Sequence, residues 1–192
     1  MSDASGSDPV GSDTAGSDTA ASAAVAYLLR LLSRRDYAEA ELDQRMRRKG
    51  FDDEACRAAL DRIRDLDLVD DARVAEMHVR SHAHRKGRLA LRRDLRARGL
   101  GDAVVADVLE PLDDAQQLAA ARGVIDKQRW RFASDDPRKN RAKAGTFLAR
   151  RGFAGDVVSA ALEAEFDGAD ERIDESADGD AADAASQPDF ER

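Results

Sequence analysis

Residues 42–60 read LDQRMRRKGFDDEACRAAL, residues 91–109 read LRRDLRARGLGDAVVADVL, and residues 144–162 read AGTFLARRGFAGDVVSAAL. Aligned on Gly50, Gly99 and Gly152, the three stretches share a pattern and few identities. Eight residues before the glycine stand Leu42, Leu91 and Ala144, and four before it stand Met46, Leu95 and Leu148. After it run the columns Phe51/Leu100/Phe153, Ala55/Val104/Val157, Cys56/Val105/Val158, Ala59/Val108/Ala161 and Leu60/Leu109/Leu162. These spacings lay one apolar face along a helix on each side of the glycine. The glycine fits the position just past a helix end, where the backbone turns left-handed and a Cβ is penalised. The apolar residue after it can then pack back on the helix it closes. The chain is an internal repeat with a period of roughly 50 residues.

Working outward, each copy needs one more helix in front. The first runs from about Ser22 to Leu32 with Val25, Leu28, Leu29 and Leu32 as its apolar stripe. A break at 33–37 leads to the Leu42/Met46 helix, and Asp52 stands where an N-cap belongs for the helix carrying Ala55, Cys56, Ala59, Leu60 and Ile63. Asp70 and Asp71 open the second triplet, in which Val74, Met77, His78 and Ser81 mark one face. Gly87 interrupts the chain and restarts it into 88–98, then 102–109, and Pro111 ends the triplet. The third starts at Asp113, with Gln116 in capping-box register, and its first helix carries Leu118, Ala121, Ile125 and Phe132. Pro137 takes the first position of the next helix, and the last helix ends near Phe166. The expected fold is all-α: three tandem three-helix repeats over 23–69, 70–112 and 113–166, stacked as an elongated, curved, right-angled helical array with a long groove.

Composition agrees. Aromatic residues make up 5% of the 192 and charged residues 36%, which suits aliphatic helices better than a β-sandwich. One cysteine, Cys56, excludes an intrachain disulfide and any Cys-rich zinc site. No apolar run approaches a membrane span, and the N-terminus lacks the order of a signal peptide, so a cytoplasmic protein without membrane contact is expected. The net charge of −8 is unevenly placed. Residues 1–22 carry −4 and residues 167–192 carry −8, which leaves +4 on the centre. Both ends are Ala, Asp, Ser and Gly with little to bury, and are expected to be disordered acidic tails.

Little in the sequence points to catalysis. There is no phosphate-binding glycine loop, no His-Glu-x-x-His and no paired nucleophile and base. The pair Asp70–Asp71 reads as caps rather than a cation site. His78 and His82, one turn apart, read as polar residues on an exposed helix end rather than metal ligands. Cys56 reads as a small core residue rather than a reactive thiol. No enzyme, metal or cofactor is expected.

The basic residues carry the stronger signal. Arg80, Arg85, Lys86, Arg88, Arg92, Arg93, Arg96 and Arg98 face Asp94 alone, a local +7. Arg88, Arg92 and Arg96 follow at four-residue intervals and are read as a stripe opposed to Leu91 and Leu95, held despite like-charge repulsion. A second +7 concentration runs from Lys127 to Arg151, where Arg129-Trp130-Arg131 sets an indole between two guanidiniums, followed by Lys139, Arg141, Lys143, Arg150 and Arg151. A solvated face would explain one such stripe. Two in neighbouring repeats point to a surface for an anionic partner.

Three strings resemble the RecX family of regulatory proteins: Leu66 to Glu76 (LDLVDDARVAE), Lys86-Gly87-Arg88 followed by Asp94 to Leu100 (DLRARGL), and Phe147 to Phe153 (FLARRGF). The likeness covers about 23–166. Ala38 stands where the family often has a capping Ser, and Gly101 and Ala154 replace better caps. The resemblance implies three three-helix repeats lodged in the groove of the RecA nucleoprotein filament. It further implies inhibition of filament growth, ATPase, strand exchange and co-protease activity by a non-enzymatic protein, expected to be a monomer. The residues expected to meet the filament, or single- or double-stranded DNA, are Arg85, Lys86, Arg88, Arg92, Arg93, Arg96, Arg98, Arg129, Trp130, Arg131, Lys139, Arg141, Lys143, Arg150 and Arg151. The other reading is a plain helical-repeat nucleic-acid binder acting through its basic helix faces.

Overall fold

At the ends of α2 (Glu39–Lys49), α5 (Arg88–Ala97) and α8 (Pro137–Arg150), the backbone makes the same turn. In this computed structural model, Gly50, Gly99 and Gly152 take φ of 96°, 82° and 79°. The amide of the next residue then reaches back to the helix. Phe51 N–H donates to the Met46 carbonyl at 3.2 Å, Leu100 to Leu95 at 3.3 Å and Phe153 to Leu148 at 3.3 Å. The glycine amides donate to Arg47, Arg96 and Ala149 at 3.1, 2.9 and 2.9 Å. Together the two bonds satisfy carbonyls that a helix end leaves open. Met46, Leu95 and Leu148 are themselves fully buried, so the turn is anchored on the core it helps to close.

Residues 12–167 are described, and among them nine α-helices and no strand occur. The other helices are α1 (Ser12–Leu32), α3 (Asp53–Asp65), α4 (Asp71–His82), α6 (Asp102–Leu109), α7 (Asp114–Lys127) and α9 (Gly155–Leu162). A short 3-10 turn covers Arg129–Phe132 and a π turn Glu163–Asp167. By contact the chain divides into two units. One holds the first two triplets, and the other holds the third triplet together with His84–Gly87. Each triplet has its own core: Leu28, Leu42, Met46 and Ile63 in the first, Val79, Leu91, Leu95 and Leu109 in the second, Ile125, Phe132, Leu148 and Phe153 in the third.

Within the first unit, the two triplets share caps. Asp70 accepts from Arg73 N–H at 2.9 Å and so caps its own helix α4. Asp71 instead accepts from Glu39 N–H at 3.0 Å, capping α2 of the preceding triplet. That explains why Ala38 can lack a capping side chain: it is fully buried in the second triplet's core, and the cap arrives from across the contact. Asp36 and Arg73 pair beside it at 2.9 Å. Asp52 caps α3 through Ala55 N–H at 2.8 Å, whereas Gly101 and Ala154 give α6 and α9 no side-chain cap.

Four local expectations are corrected. Helix α1 begins at Ser12, ten residues before the expected start. Ala20 and Ala24 extend the buried line of Leu28 by one turn each, and small alanines contribute little to an apolar pattern judged by large side chains. The remaining tail residues, 1–11 and 168–192, lie outside the described residues. Leu29, expected in the α1 stripe, is exposed, because the buried line follows Ala24 and Leu28. Met77, expected inward on α4, is exposed, since the buried face follows Val74, Ala75 and Val79. Phe132 is buried as expected but sits in the 3-10 turn, after α7 has ended at Lys127.

Gly87 is required by space rather than by φ. Its amide donates to the Arg151 carbonyl at 2.9 Å, and a Cβ there would lie 2.2 Å from the Gly152 carbonyl oxygen. Gly99 combines a left-handed backbone with close approach, since a Cβ would meet that of Ala40 at 2.3 Å; around Gly50 there is open space. Gly50→Ala should therefore cost about 1–2 kcal/mol, the left-handed penalty alone. Gly99→Ala should cost clearly more, measured by urea unfolding of each variant. Equal losses would show that the Ala40 contact does not constrain the fold.

Candidate functional site

A guanidinium bound to a neighbouring carboxylate is partly neutralised; one without such a partner projects its full charge into solvent. Sorted this way, the fifteen residues singled out from sequence separate into two groups.

On α5, Arg88 is half-buried. Leu91 and Leu95 follow it by three and seven residues, which is the same helical face, so the stripe is not opposed to the leucines at its start. The side opposite belongs to Arg93, two residues from each leucine and exposed. Arg96 forks onto Asp102 with both contacts at 2.8 Å. Arg47 makes the equivalent pair with Asp53 in the first triplet, bridging the same glycine turn. Arg96 is thus part of a repeated structural feature, worth at most about 1 kcal/mol as an exposed pair. Arg98 reaches Glu41 of the first triplet at 3.7 Å. Arg92 and Arg93 remain exposed, and among the described residues no carboxylate pairs with either.

In the second unit, Arg129 bonds Glu165 at 2.6 Å, and Glu165 also takes Arg122 at 2.9 Å. These residues border a wide depression of about 730 Å³, in which Asp126 and Glu165 offset the arginines. Lys139 pairs with Asp136 at 3.2 Å, and Lys86 and Arg141 are half-buried. Arg131, Lys143 and Arg150 stay exposed and make no close ion pair among the described residues, although Lys143 lies near enough to Asp136 to help lower its carboxyl pKa. They line a concavity of about 400 Å³ with Phe132 and Phe147. The guanidiniums of Arg131 and Arg151 lie 5.2 and 4.6 Å from the Phe147 ring centre. A smaller hollow of about 170 Å³ adjoins Arg151 and is lined by His84, Arg85, Lys127 and Gln128. The Arg151 guanidinium also donates to the Arg85 carbonyl at 3.2 Å. Trp130 is 75% exposed, with Arg131 5.8 Å from its ring.

What holds this corner in place is Asn140, which is buried at the start of α8. Its amide nitrogen donates to the Ser134 carbonyl at 2.7 Å, and its side-chain oxygen accepts from Ser134 N–H at 3.0 Å. Ser134, two residues past the 3-10 turn of Trp130 and Arg131, is thereby held against the helix carrying Lys143, Phe147 and Arg150. Helical spacing did not show that Phe147 lies under two guanidiniums. It also missed Asn140, whose only signal was a polar residue at a core-facing register of α8.

The reactive side chains are taken up by packing. Cys56 is fully buried, and burial pushes its thiol up from the ordinary value. His78 is not on an exposed helix end as expected: its side chain is 8% exposed against α5, 3.6 Å from Asp94, and its ring stacks on His82 at 4.1 Å. Among the described residues no group of three His, Cys, Asp or Glu could hold a metal, and no helix is long and apolar enough to cross a membrane.

Three linked triplets, each closed by a glycine turn, define a helical-repeat protein. The models of the first, second and third three-helix domains of RecX match residues 24–62, 70–109 and 114–162. The regulatory protein RecX of Halorhodospira halophila is 39% identical over 139 residues, covering 71% of this chain and 84% of that protein. That of Mycobacterium sp. strain KMS is 38% identical over 152 residues, covering 74% and 83%. The crystal structure of RecX from Lactobacillus salivarius superposes with a TM-score of 0.69 at 23% identity, covering 78% of this chain and 98% of that one, a likeness of fold. The chain belongs to the RecX family of regulatory proteins.

The His78 environment gives a pH test. Burial, then His82 and Arg98, depress its imidazole below the ordinary value of 6.5, against the opposing pull of Asp94. The unfolded chain therefore binds a proton more readily, so stability is full above 6.5 and is lost as pH falls through the lower folded value. The thermal midpoint should fall between pH 7.5 and 5, with a smaller fall in His78→Gln, as read by circular dichroism. Parallel curves for the two proteins would contradict the buried, neutral imidazole.

Proposed function

We propose that this protein binds the RecA nucleoprotein filament in the cytoplasm and restrains it, limiting filament extension, ATP hydrolysis, strand exchange and co-protease activity. The carrying observation is the full set of three RecX domains, in order over 24–162, each with its glycine turn intact. A filament is a repeating anionic object with a helical groove, and a repeat protein presents contacts at regular intervals to such an object. Among the residues singled out from the sequence, Arg92 and Arg93 in the first unit, with Arg85, Arg131, Lys143 and Arg150 in the second, are exposed and free to supply those contacts. The protein acts by occupying its target, not by chemistry: Cys56 is buried in the first core and His78 is packed against Asp94 and His82.

The test is RecA's DNA-dependent ATP hydrolysis on single-stranded DNA with increasing amounts of this protein. Inhibition well below one molecule per recombinase subunit is expected, because capping or bridging a filament stops growth beyond the site occupied. No effect at equimolar amounts under low salt would reject the reading.

A further inference from the structure

We infer that the third triplet carries a single-stranded nucleic-acid site of its own, with Trp130 as a stacking platform for a base and Arg131, Lys143 and Arg150 as phosphate contacts. The inference extends the filament reading but does not rest on it, since it concerns nucleic acid alone. Three independent observations converge.

The first is charge. The concavity of about 400 Å³ and the hollow of about 170 Å³ contain no acidic residue in their linings, while Arg131, Lys143, Arg150, Arg151, Arg85 and Lys127 do. The depression beside Glu165 shows the contrast, because there the same fold neutralises Arg122 and Arg129 internally. The second is aromatic placement. Trp130 is 75% exposed on the 3-10 turn, and burying an indole in the core would have been the lower-energy use of it. Phe147 lies under the guanidiniums of Arg131 and Arg151 at 5.2 and 4.6 Å, so cations and π faces alternate along the surface. The third is anchorage. Phe132 is buried at the end of the turn, and the Asn140–Ser134 hydrogen bonds hold the chain two residues later to α8, so the platform and the cations sit on one anchored stretch.

Alternating π faces and cations match alternating bases and phosphates. An acidic protein surface would satisfy the cations but offers no planar partner for the indole. A duplex would offer phosphates while its base faces are hidden in the stack. Single strands leave those faces free. The concavity falls within the usual volume range of sites for small organic groups, about 300–1,000 Å³.

Trp130 is the chain's single tryptophan, so its emission reports from this site alone. The full chain should be titrated with oligodeoxythymidylate, with no recombinase present, and its fluorescence recorded. Saturable quenching is expected. The affinity should fall with a logarithmic salt slope of about −4 for six phosphate contacts on a single strand. The variant Arg131→Gln/Lys143→Gln/Arg150→Gln should bring the slope to about −2. Trp130→Ala, followed by anisotropy of labelled oligonucleotide, should weaken binding about fivefold or more at any salt. The exposed positions of these side chains allow each variant to keep its helicity, which circular dichroism verifies. Absence of quenching at low salt would overturn the proposal. So would equal quenching by poly-glutamate, equal affinity for a matched duplex, or a triple variant with the parental slope. Any of these would leave the filament reading standing, because no recombinase enters the experiment.

Discussion

A helix ends with carbonyls that have no partner, and in this protein the same three-residue solution is applied three times. A left-handed glycine lets two amides fold back onto those carbonyls, and the apolar residue after it closes over the buried side chain one turn earlier. Direction follows from that geometry. Each third helix returns its apolar face to the first, so the core of a triplet depends on the turn being made. The other contacts elaborate this frame. The Arg47–Asp53 and Arg96–Asp102 pairs span two of the turns from outside, and Gly87 packs its backbone directly against the third.

The joins between triplets use a different economy of residues. Where the first two meet, a carboxylate of one triplet caps a helix of the other, which couples the folding of α2 to the presence of α4. The local signals of α2 suit a helix, with an acidic first turn, a basic last turn and a glycine C-cap, except that Ala38 gives it no N-cap side chain. That cap is supplied by its neighbour, as suits repeats that cannot bury their faces alone. The same logic explains Arg98, which looks like part of a basic stripe but reaches back to Glu41.

Most of the fold was legible because glycine position and apolar spacing are properties of single helices. Among the described residues, the nine α-helices and the three left-handed glycines follow from columns that can be read without knowing any contact. What was not legible depended on partners distant in sequence. The inward face of α4 was misjudged because Met77 is larger and more apolar than Ala75, while burial was decided by fit against α5 and α6. The start of α1 was misjudged because Ala20 and Ala24 are small, although small residues suit a close helix contact with α3. The candidate site was legible only as a set of cations. Which of them are neutralised depends on Asp102, Glu165 and Glu41, which lie six to dozens of residues away. Arg88 was assigned to the wrong side by reading i, i+4, i+8 without comparing it to Leu91 and Leu95.

The central claim is that cations left open by the fold carry binding, whereas cations paired by the fold carry structure. Two variants with the same change in net charge separate these roles. One replaces Arg92, Arg131 and Arg150 by Gln, and the other replaces Arg96, Arg129 and Lys139 by Gln. The concentration needed to half-inhibit RecA's DNA-dependent ATP hydrolysis should rise about tenfold or more in the first. In the second it should stay within about twofold of the parent, since exposed pairs contribute little and their charge was already offset. Equal shifts in the two variants would contradict the account, because binding would then follow net charge rather than the pattern that the fold imposes on it.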